Sequence, residues 1–592
     1  MKKLLVLIEK WMFPFLISTS LILFVLTIYE KQNDGLADSS IQAAVQALTL
    51  DSTESGFTLY MNFMINLTLA WAVLKVLMAS AGLKFDNLTV KIFSRNHIII
   101  VLKPDSSSRG GANHKIRNLP LAIDLATAIT STQKVILTIP EIDEHDRARM
   151  WDQGVKVVTY NGGFEGMLKA TRASEANTLI SICDNWLDNI TISRAALSPA
   201  LKNPSLQVKC MMESLERNRS FNCEEYFEKN SLSRLRIFNE SELLARKMFS
   251  EFPADSIVAQ TNKRVHVLMF GLTSVSEALI LQLARLGHYR SGQKPKVSIV
   301  DSNLNTKMHS IINSIPAINN LLEINLVERS VGELKLKDII EIINNKDPIT
   351  IAYVCGINEI ENLRITRMLL SEVAHGSTLY KEKPFDVVAL DPPGGIVLSD
   401  FYIYGEHAGK FHLFSLVGQD GTAEKSIIAN SLLGDLDDVI GRSLHDAYLK
   451  KDLQLLEQNP KHKIHPNSVA WENLPENIRN ANRAVADHFD IKMRAVGCKV
   501  VLEGVGAEVQ LSSNEIEILA IMEHQRWWAD RSINGWTFAE VRDDINRLHP
   551  NMVPYEELSN ADKQKDRDSV LQMIEILGSE CMILVKNPSK LN

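Results

Sequence analysis

The sequence predicts an α/β protein: two parallel sheets in tandem, preceded by a two-helix membrane module and followed by an all-α unit. Three observations predict this. Short runs of apolar residues alternate twice with helical periodicity, as expected where helices cover both faces of a parallel sheet. Two charge-free apolar runs lie within the first 83 residues. From residue 468 onward the apolar residues recur at helical spacing.

Composition bounds the function classes. A chain of 592 residues is too long for one domain of roughly 100–200 residues. Its 64 basic and 71 acidic residues give a net charge of −7, which argues against non-specific nucleic-acid binding by the whole chain. Charged residues at 23% and hydrophobic residues at 45% exclude a largely disordered chain. The mean hydropathy of −0.04 excludes a polytopic transporter, but not a short anchor diluted by a polar remainder. The 6 cysteines form no C-x-x-C pair and have no histidine at ligand spacing, so neither a metal site nor a disulfide framework is expected.

Residues 1–90 read as the membrane module. Residues 11–29 carry no charge over 19 positions, which just spans a hydrocarbon core of about 30 Å. A second run covers 57–74 and continues past Lys75 to 83. Lys2, Lys3 and Lys10 precede the first run, Lys84, Lys91 and Arg95 follow the second, and the connector is acidic. The positive-inside rule then places both termini in the cytoplasm, giving a two-pass protein of a bacterial inner membrane. Within the connector, 39–56 has the order of a re-entrant pore segment, with Asp51, Ser52, Thr53 and Glu54 as pore candidates. The alternative is a plain extracellular loop. The potassium-filter sequence TVGYG is absent.

The first α/β unit is expected over 96–255. Strands are predicted at 97–102, 134–139, 155–160, 178–183 and 206–211, with helices at 119–130 and 167–174. The second unit, 262–450, repeats the pattern. Its strands are predicted at 265–270, 296–300, 349–355, 385–390 and 412–417, with a helix at 277–286. Two similar units in tandem form an internal repeat.

A dinucleotide fold places G-x-G-x-x-G after its first strand, so that backbone N–H groups and the helix dipole meet a pyrophosphate. The first unit offers only Gly110 and Gly111 in a longer loop. The second offers Gly271, Thr273 and Ser276, with Asp301 where a ribose-binding acid belongs. These four residues are the candidates for a nucleotide or NAD-like ligand; the alternative is that both units are structural. No catalytic acid–base pair can be picked out, so no enzyme activity is expected.

Two apolar spans followed by two degenerate Rossmann units resemble the RCK (TrkA-N-like) regulators of ligand-gated potassium channels. Residues 155–161, 168–176 and 178–184 resemble the strand–helix–strand section of that fold, and 238–246 the helix after its core. The resemblance covers roughly 97–420. It implies units that assemble into rings and change packing when a ligand binds, and with a two-span module it implies a homotetramer.

After a linker at 451–467, the last unit is expected over 468–585. It carries W-x-x-L-P from Trp471 and R-x-x-N-R from Arg479. Farther on come E-H-x-R-W from Glu523, Gly535-Trp536, Arg542-Asp543, His549-Pro550 and V-P-Y-E-E-L from Val553. In this order the motifs resemble the ryanodine-receptor (RyR) repeat domain. The resemblance implies a helical sensor of nucleotide-type ligands. The residues themselves suit a polar pocket. Arg479, Asn482 and Arg483 lie within about one helical turn, while Glu523, His524, Trp527 and Arg531 cover two faces of one helix. Arginine forks suit phosphate, and Trp527 or Trp536 suits base stacking, with Tyr555 completing the candidate set. The alternative is that Glu523 pairs structurally with Arg531, Asp543 pairs with Arg567, and the tryptophans are core. His524 has no partner at i+4 that would make it a metal ligand.

The expectation is a membrane-embedded, ligand-gated signalling protein, channel-like, whose cytoplasmic units sense a nucleotide-type ligand. A pore-less tethered sensor acting through a partner is the alternative. Ion homeostasis and phage defence both fit such behaviour.

Overall fold

The computed structural model describes residue 90 and residues 94–586, apart from 106–115, 131, 141, 143, 161–162, 216–226, 228, 344–346, 357, 376–384, 392–410, 416–426, 434–435, 460, 462, 466, 475 and 580. The runs at 11–29 and 57–83, the pore candidates Asp51, Ser52, Thr53 and Glu54, and Gly110 and Gly111 lie outside the described residues. Among the described residues no helix is long and apolar enough to cross a membrane, which counts against the expected two-pass placement in a bacterial inner membrane. The long helices that are described, such as Leu436–Gln458 and Ser513–Ile533, carry charged side chains along their length. None offers the roughly 20 apolar residues that a span needs.

The first sheet has strands β1 (His97–Val101), β2 (Lys134–Ile139), β3 (Lys156–Thr159), β4 (Ala176–Ser181), β5 (Gln207–Met211) and β6 (Leu235–Phe238). They are all parallel, in the order β3-β2-β1-β4-β5-β6. Every residue of β1 is buried, because α1 (Leu119–Thr130), α2 (Glu144–Asp152), α3 (Phe164–Ala170) and α4 (Trp186–Leu197) belong to crossover connections that cover the sheet, and α5 (Glu240–Glu251) follows the last strand.

The second sheet has β7 (His266–Phe270), β8 (Lys296–Asp301), β9 (Glu323–Glu328), β10 (Ile351–Val354), β11 (Asp386–Asp391) and β12 (Phe411–Ser415). Its order, β12-β11-β10-β7-β8-β9, is the same doubly wound order viewed from the other edge. Its helices include α6 (Ser274–Leu286), α7 (Leu304–Ser314), α8 (Leu336–Ile343) and α9 (Glu359–His375). β6 and β9 are the two strands that the sequence pattern did not reveal. Both are edge strands, and their partly buried residues lack a continuous apolar run.

The two units share devices that go beyond strand order. Each central strand opens on a buried histidine: His97 bonds the Thr171 carbonyl at 2.8 Å and His266 the Asp347 carbonyl at 2.8 Å. Each carries N-x3-N-x3-[S/T] after its fourth strand, as Asn185, Asn189 and Ser193 or Asn358, Asn362 and Thr366. Asn189 accepts from the Cys183 N–H and donates to the carbonyls of Cys183 and Met211. Asn362 accepts from the Gly356 N–H and donates to the carbonyls of Gly356 and Leu390. One amide thus pins the fourth strand to the fifth in both sheets, satisfying backbone groups that helices leave open at the crevice.

The C-terminal unit follows α10 (Ile427–Leu433). It comprises α11 (Leu436–Gln458), α12 (Glu476–Ala495), α13 (Ser513–Ile533) and α14 (Asn560–Ser579). It is not purely helical: β13 (Cys498–Leu502) and β16 (Met582–Lys586) form an antiparallel ribbon, and β14 (Thr537–Phe538) pairs with β15 (Leu548–His549). The expected linker is shorter at its start, since α11 runs on to Gln458. A capping box of Ser512 and Glu515 starts α13.

Helices α12 and α13 pack on α6 of the second sheet. Leu279 and Leu283 of α6, Phe489 and Met493 of α12, and Met522 of α13 belong to one apolar core. Its polar border carries Arg285 to Asp530 at 3.4 Å, Arg494 to Asp255 at 2.8 Å and Arg246 to Asp487 at 2.7 Å.

Candidate functional site

The structure divides the candidate residues of the C-terminal unit into three groups. Arg479 and Arg483 are buried in a joint with the first unit. Arg479 donates to the carbonyls of Leu474 and Ser233, both at 3.1 Å, and Arg483 donates to Glu476 at 2.6 Å. Arg236 of β6 reaches the same Glu476 at 3.6 Å, and Asn482 donates to the Ile478 carbonyl within its own helix. All three side chains therefore have intramolecular partners at this joint.

Glu523 belongs to a second group. It accepts from Lys492 at 2.6 Å and from Arg526 at 2.7 and 3.1 Å. Burial alone would raise its carboxyl; the charges of Arg526 and Lys492 overcome that and hold it well below the usual range. Burial lowers the Lys492 ammonium. Glu523 does not pair with Arg531, since eight positions along a helix separate the two by about 12 Å of rise. Arg567 likewise takes Glu517, at 2.6 Å, rather than Asp543.

The third group is a cluster of rings around one arginine, the candidate cleft. On α13, His524 stacks on Trp527 with ring centres 5.8 Å apart, and Trp527 meets His549 of β15 edge-on at 4.9 Å. The Arg531 guanidinium lies 4.7 Å from the Trp536 ring and 5.9 Å from Trp527. Among the described residues it makes no hydrogen bond or ion pair. Burial lowers its pKa, the neighbouring Asp530 raises it and Arg542 lowers it again. Two tryptophan rings lie beside a guanidinium that has no acceptor among the described residues, a combination that suits an anion. Tyr555 supports the cleft from behind, 5.9 Å from His524, and donates to Glu517 at 3.1 Å.

His549 accepts from the Asn551 N–H at its Nδ1, so a neutral ring carries its proton on Nε2. Burial lowers its pKa, and the positive charges of Arg542 and Arg531 lower it further.

Sequence reasoning missed the rest of the cleft. Arg542 and Asp544, on the loop between β14 and β15, pair at 2.7 and 3.1 Å. Tyr448 of α11 stacks edge-on against His465 at 6.4 Å. The two pairs lie within electrostatic reach of each other. Asp544 is lowered first by its bond to Arg542 and then by Arg531 and His465, while Arg542 also acts on Tyr448. The only sequence cue was the Arg542-Asp543 pair inside a motif; Tyr448 and His465 fell in a helix end and a presumed linker.

Residues 508–583 match the family model of the RyR domain. That range holds Trp527, Arg531, Trp536, Arg542, Asp544 and His549, so one wall of the cleft and its intervening loop lie within the RyR segment. Tyr448 and His465 come from outside it.

Solved structures with a similar chain course are of low identity. A dipicolinate synthase component from Bacillus halodurans is 11% identical, with a TM-score of 0.19, covering 57% of this chain and 97% of its own. Anabaena HepE in complex with UDP and glucose is 12% identical, with a TM-score of 0.18, covering 57% and 90%. A glycosyltransferase from Rickettsia africae is 10% identical, with a TM-score of 0.17, covering 58% and 90%. Two of the three carry enzyme names. Likenesses at these scores carry no argument about what this chain does.

The other predicted site lies in the second sheet, where Gly271, Thr273, Ser276 and Asp301 do come together. Gly271 has φ +86°, and an added Cβ would lie 2.7 Å from the Gly356 Cα. Thr273 and Ser276 form the capping box of α6, and the Ser276 hydroxyl donates to the Gly271 carbonyl at 2.6 Å. Asp301 accepts from the Leu272 N–H at 2.7 Å and from Lys307 at 2.6 Å. The polar atoms of this turn are largely engaged with one another.

Proposed function

We propose that this chain is a ligand-responsive signalling protein whose RyR segment binds a nucleotide-type ligand in the cleft of Trp527, Arg531 and Trp536. The observation that supports it most is Arg531. Its guanidinium is held against Trp536 and, farther off, Trp527, and among the described residues it has no acceptor of its own. An aromatic base stacked on tryptophan, with its phosphate on the arginine fork, satisfies both features. The RCK reading of the two Rossmann units belongs to the same proposal: they would receive the signal through α13 and α6, which share a core. The reading is one of binding, with no turnover assigned.

A thermal-shift screen of the full chain against mononucleotides, dinucleotides and cyclic dinucleotides tests it. A stabilising ligand is expected, with affinity lowered about tenfold or more by Arg531→Ala and by Trp536→Ala, the scale of one stacked base or one charged hydrogen bond. Asp301→Asn is expected to leave binding unchanged. A ligand lost on Asp301→Asn and kept on Arg531→Ala would move the site to the second sheet and sink the reading.

A further inference from the structure

The loop between β14 and β15 places the Asp544 carboxylate near two arginines. Asp544 is bonded by Arg542, and its charge is felt by Arg531 of α13 and His465 beyond α11. Among the described residues Arg531 has no acceptor, and Arg542 has only Asp544. Both members of that pair are more than half exposed, with side-chain exposures of 52% and 60%. The loop backbone is fixed independently. Asp543 accepts from the N–H groups of Ile545 and Asn546, both at 3.0 Å, and from the Asn546 side chain at 2.7 Å. Asp544 can therefore turn away without any change in the loop around it.

We propose that Asp544 is an internal counter-ion occupying a phosphate subsite, and that a phosphorylated ligand binds by displacing it from Arg542. This rests on the reading that the cleft takes a nucleotide-type ligand, and adds how the site discriminates. A phosphoryl group brings more negative charge than one carboxylate, and several acceptor oxygens. A carboxylate already satisfies Arg542 alone. A ligand with a base but no phosphate leaves Asp544 in place and gains nothing from either arginine. Asp544 thus sets a threshold that only phosphorylated ligands cross.

The proposal is tested by isothermal titration calorimetry on the full chain, with ADP as the probe and adenosine as its phosphate-free counterpart. Asp544→Asn is expected to bind ADP roughly threefold to fivefold more tightly than wild type, the scale of one exposed ion pair. Adenosine binding is expected to be the same in both. Arg542→Ala is expected to weaken ADP by about tenfold, the scale of a charged hydrogen bond. Equal melting temperatures confirm that the exposed substitutions leave the fold intact. If Asp544→Asn binds ADP no better than wild type while Arg531→Ala abolishes binding, the displacement is wrong and the cleft reading stands. If ADP binds neither wild type nor Asp544→Asn, the displacement falls and the cleft reading rests on the wider nucleotide screen; if ADP binds with no effect of Arg531→Ala, both fall.

Discussion

The triad of Lys492, Glu523 and Arg526 makes an unequal prediction for its members. Its side chains are 2%, 6% and 4% exposed, so water contributes little screening. Glu523→Gln keeps the shape and removes the negative charge of the carboxylate that bonds both buried cations. Breaking a buried pair in this way costs about 3–5 kcal/mol. Lys492→Met removes one cation and leaves Glu523 matched to the Arg526 fork at 2.7 and 3.1 Å. Its methylenes are replaced by methylenes and a thioether, and a desolvated charge disappears, so the cost is expected within about 1 kcal/mol of zero. Local opening is read best by native-state hydrogen exchange of peptides from α13, because the chain has several units and one melting curve does not separate them. Glu523→Gln should raise exchange there by about two to three and a half orders of magnitude, at tenfold per 1.4 kcal/mol. Lys492→Met should change it less than tenfold. Equal effects of the two substitutions, or an effect of Glu523→Gln below tenfold, would refute the view that the glutamate neutralises a buried excess of positive charge.

Two further outcomes follow from the second sheet. Gly271→Ala should cost at least about 2 kcal/mol, because it combines a left-handed φ with a backbone clash at Gly356; a melting temperature equal to wild type would show that the turn yields. Burial lowers His266 from its ordinary 6.5, partly offset by its bond to the Asp347 carbonyl. Above 6.5 both folded and unfolded states leave this ring neutral; below it the unfolded chain takes the proton first. Stability is therefore lost as pH falls below about 6.5 toward the lower folded value. Melting temperatures from pH 8 to 5 should fall less steeply in His266→Gln than in wild type, and parallel slopes would count against it.

The sheets were legible because parallel strands covered on both faces must be continuously apolar, as in β1 and β7. The edge strands β6 and β9 lacked that signal because one side of each has no neighbour. The internal repeat was legible as a pattern, but its chemical evidence was not. Asn189 and Asn362 look like ordinary helix residues until the fold shows each bonding the ends of two strands. In the C-terminal unit, residue types suggested phosphate and base recognition, yet spacing alone did not sort them. Arg479 and Arg483 are as basic as Arg531, and only the structure gives the first two acceptors and the third none among the described residues.

Helix α13 carries both the cleft and the contact with the second sheet, and its periodicity decides how the two relate. Trp527 and Arg531 are four positions apart and share one face. Glu523 and Arg526, one turn earlier, face the buried triad, and Asp530 reaches Arg285 of α6 at 3.4 Å. Asp530 and Arg531 are consecutive, so they point roughly 100° apart around the same backbone. A rotation of α13 that improves the grip of Arg531 on an anion must also displace Asp530 from Arg285. Because α6 begins at the Gly271 turn, which is locked by Thr273, Ser276 and the nearby Gly356 backbone, it has little freedom to follow by bending. A sliding of α13 and α12 across α6 as a packed pair, the shear type of rearrangement, would meet that requirement. Spatial continuity is not itself coupling; the requirement is that the ligand favour one of the two packings, and the effect must then be reciprocal. The Arg285–Asp530 bridge is where that difference would be felt, since Asp530 precedes Arg531 in the chain and the bridge joins the C-terminal unit to the second sheet.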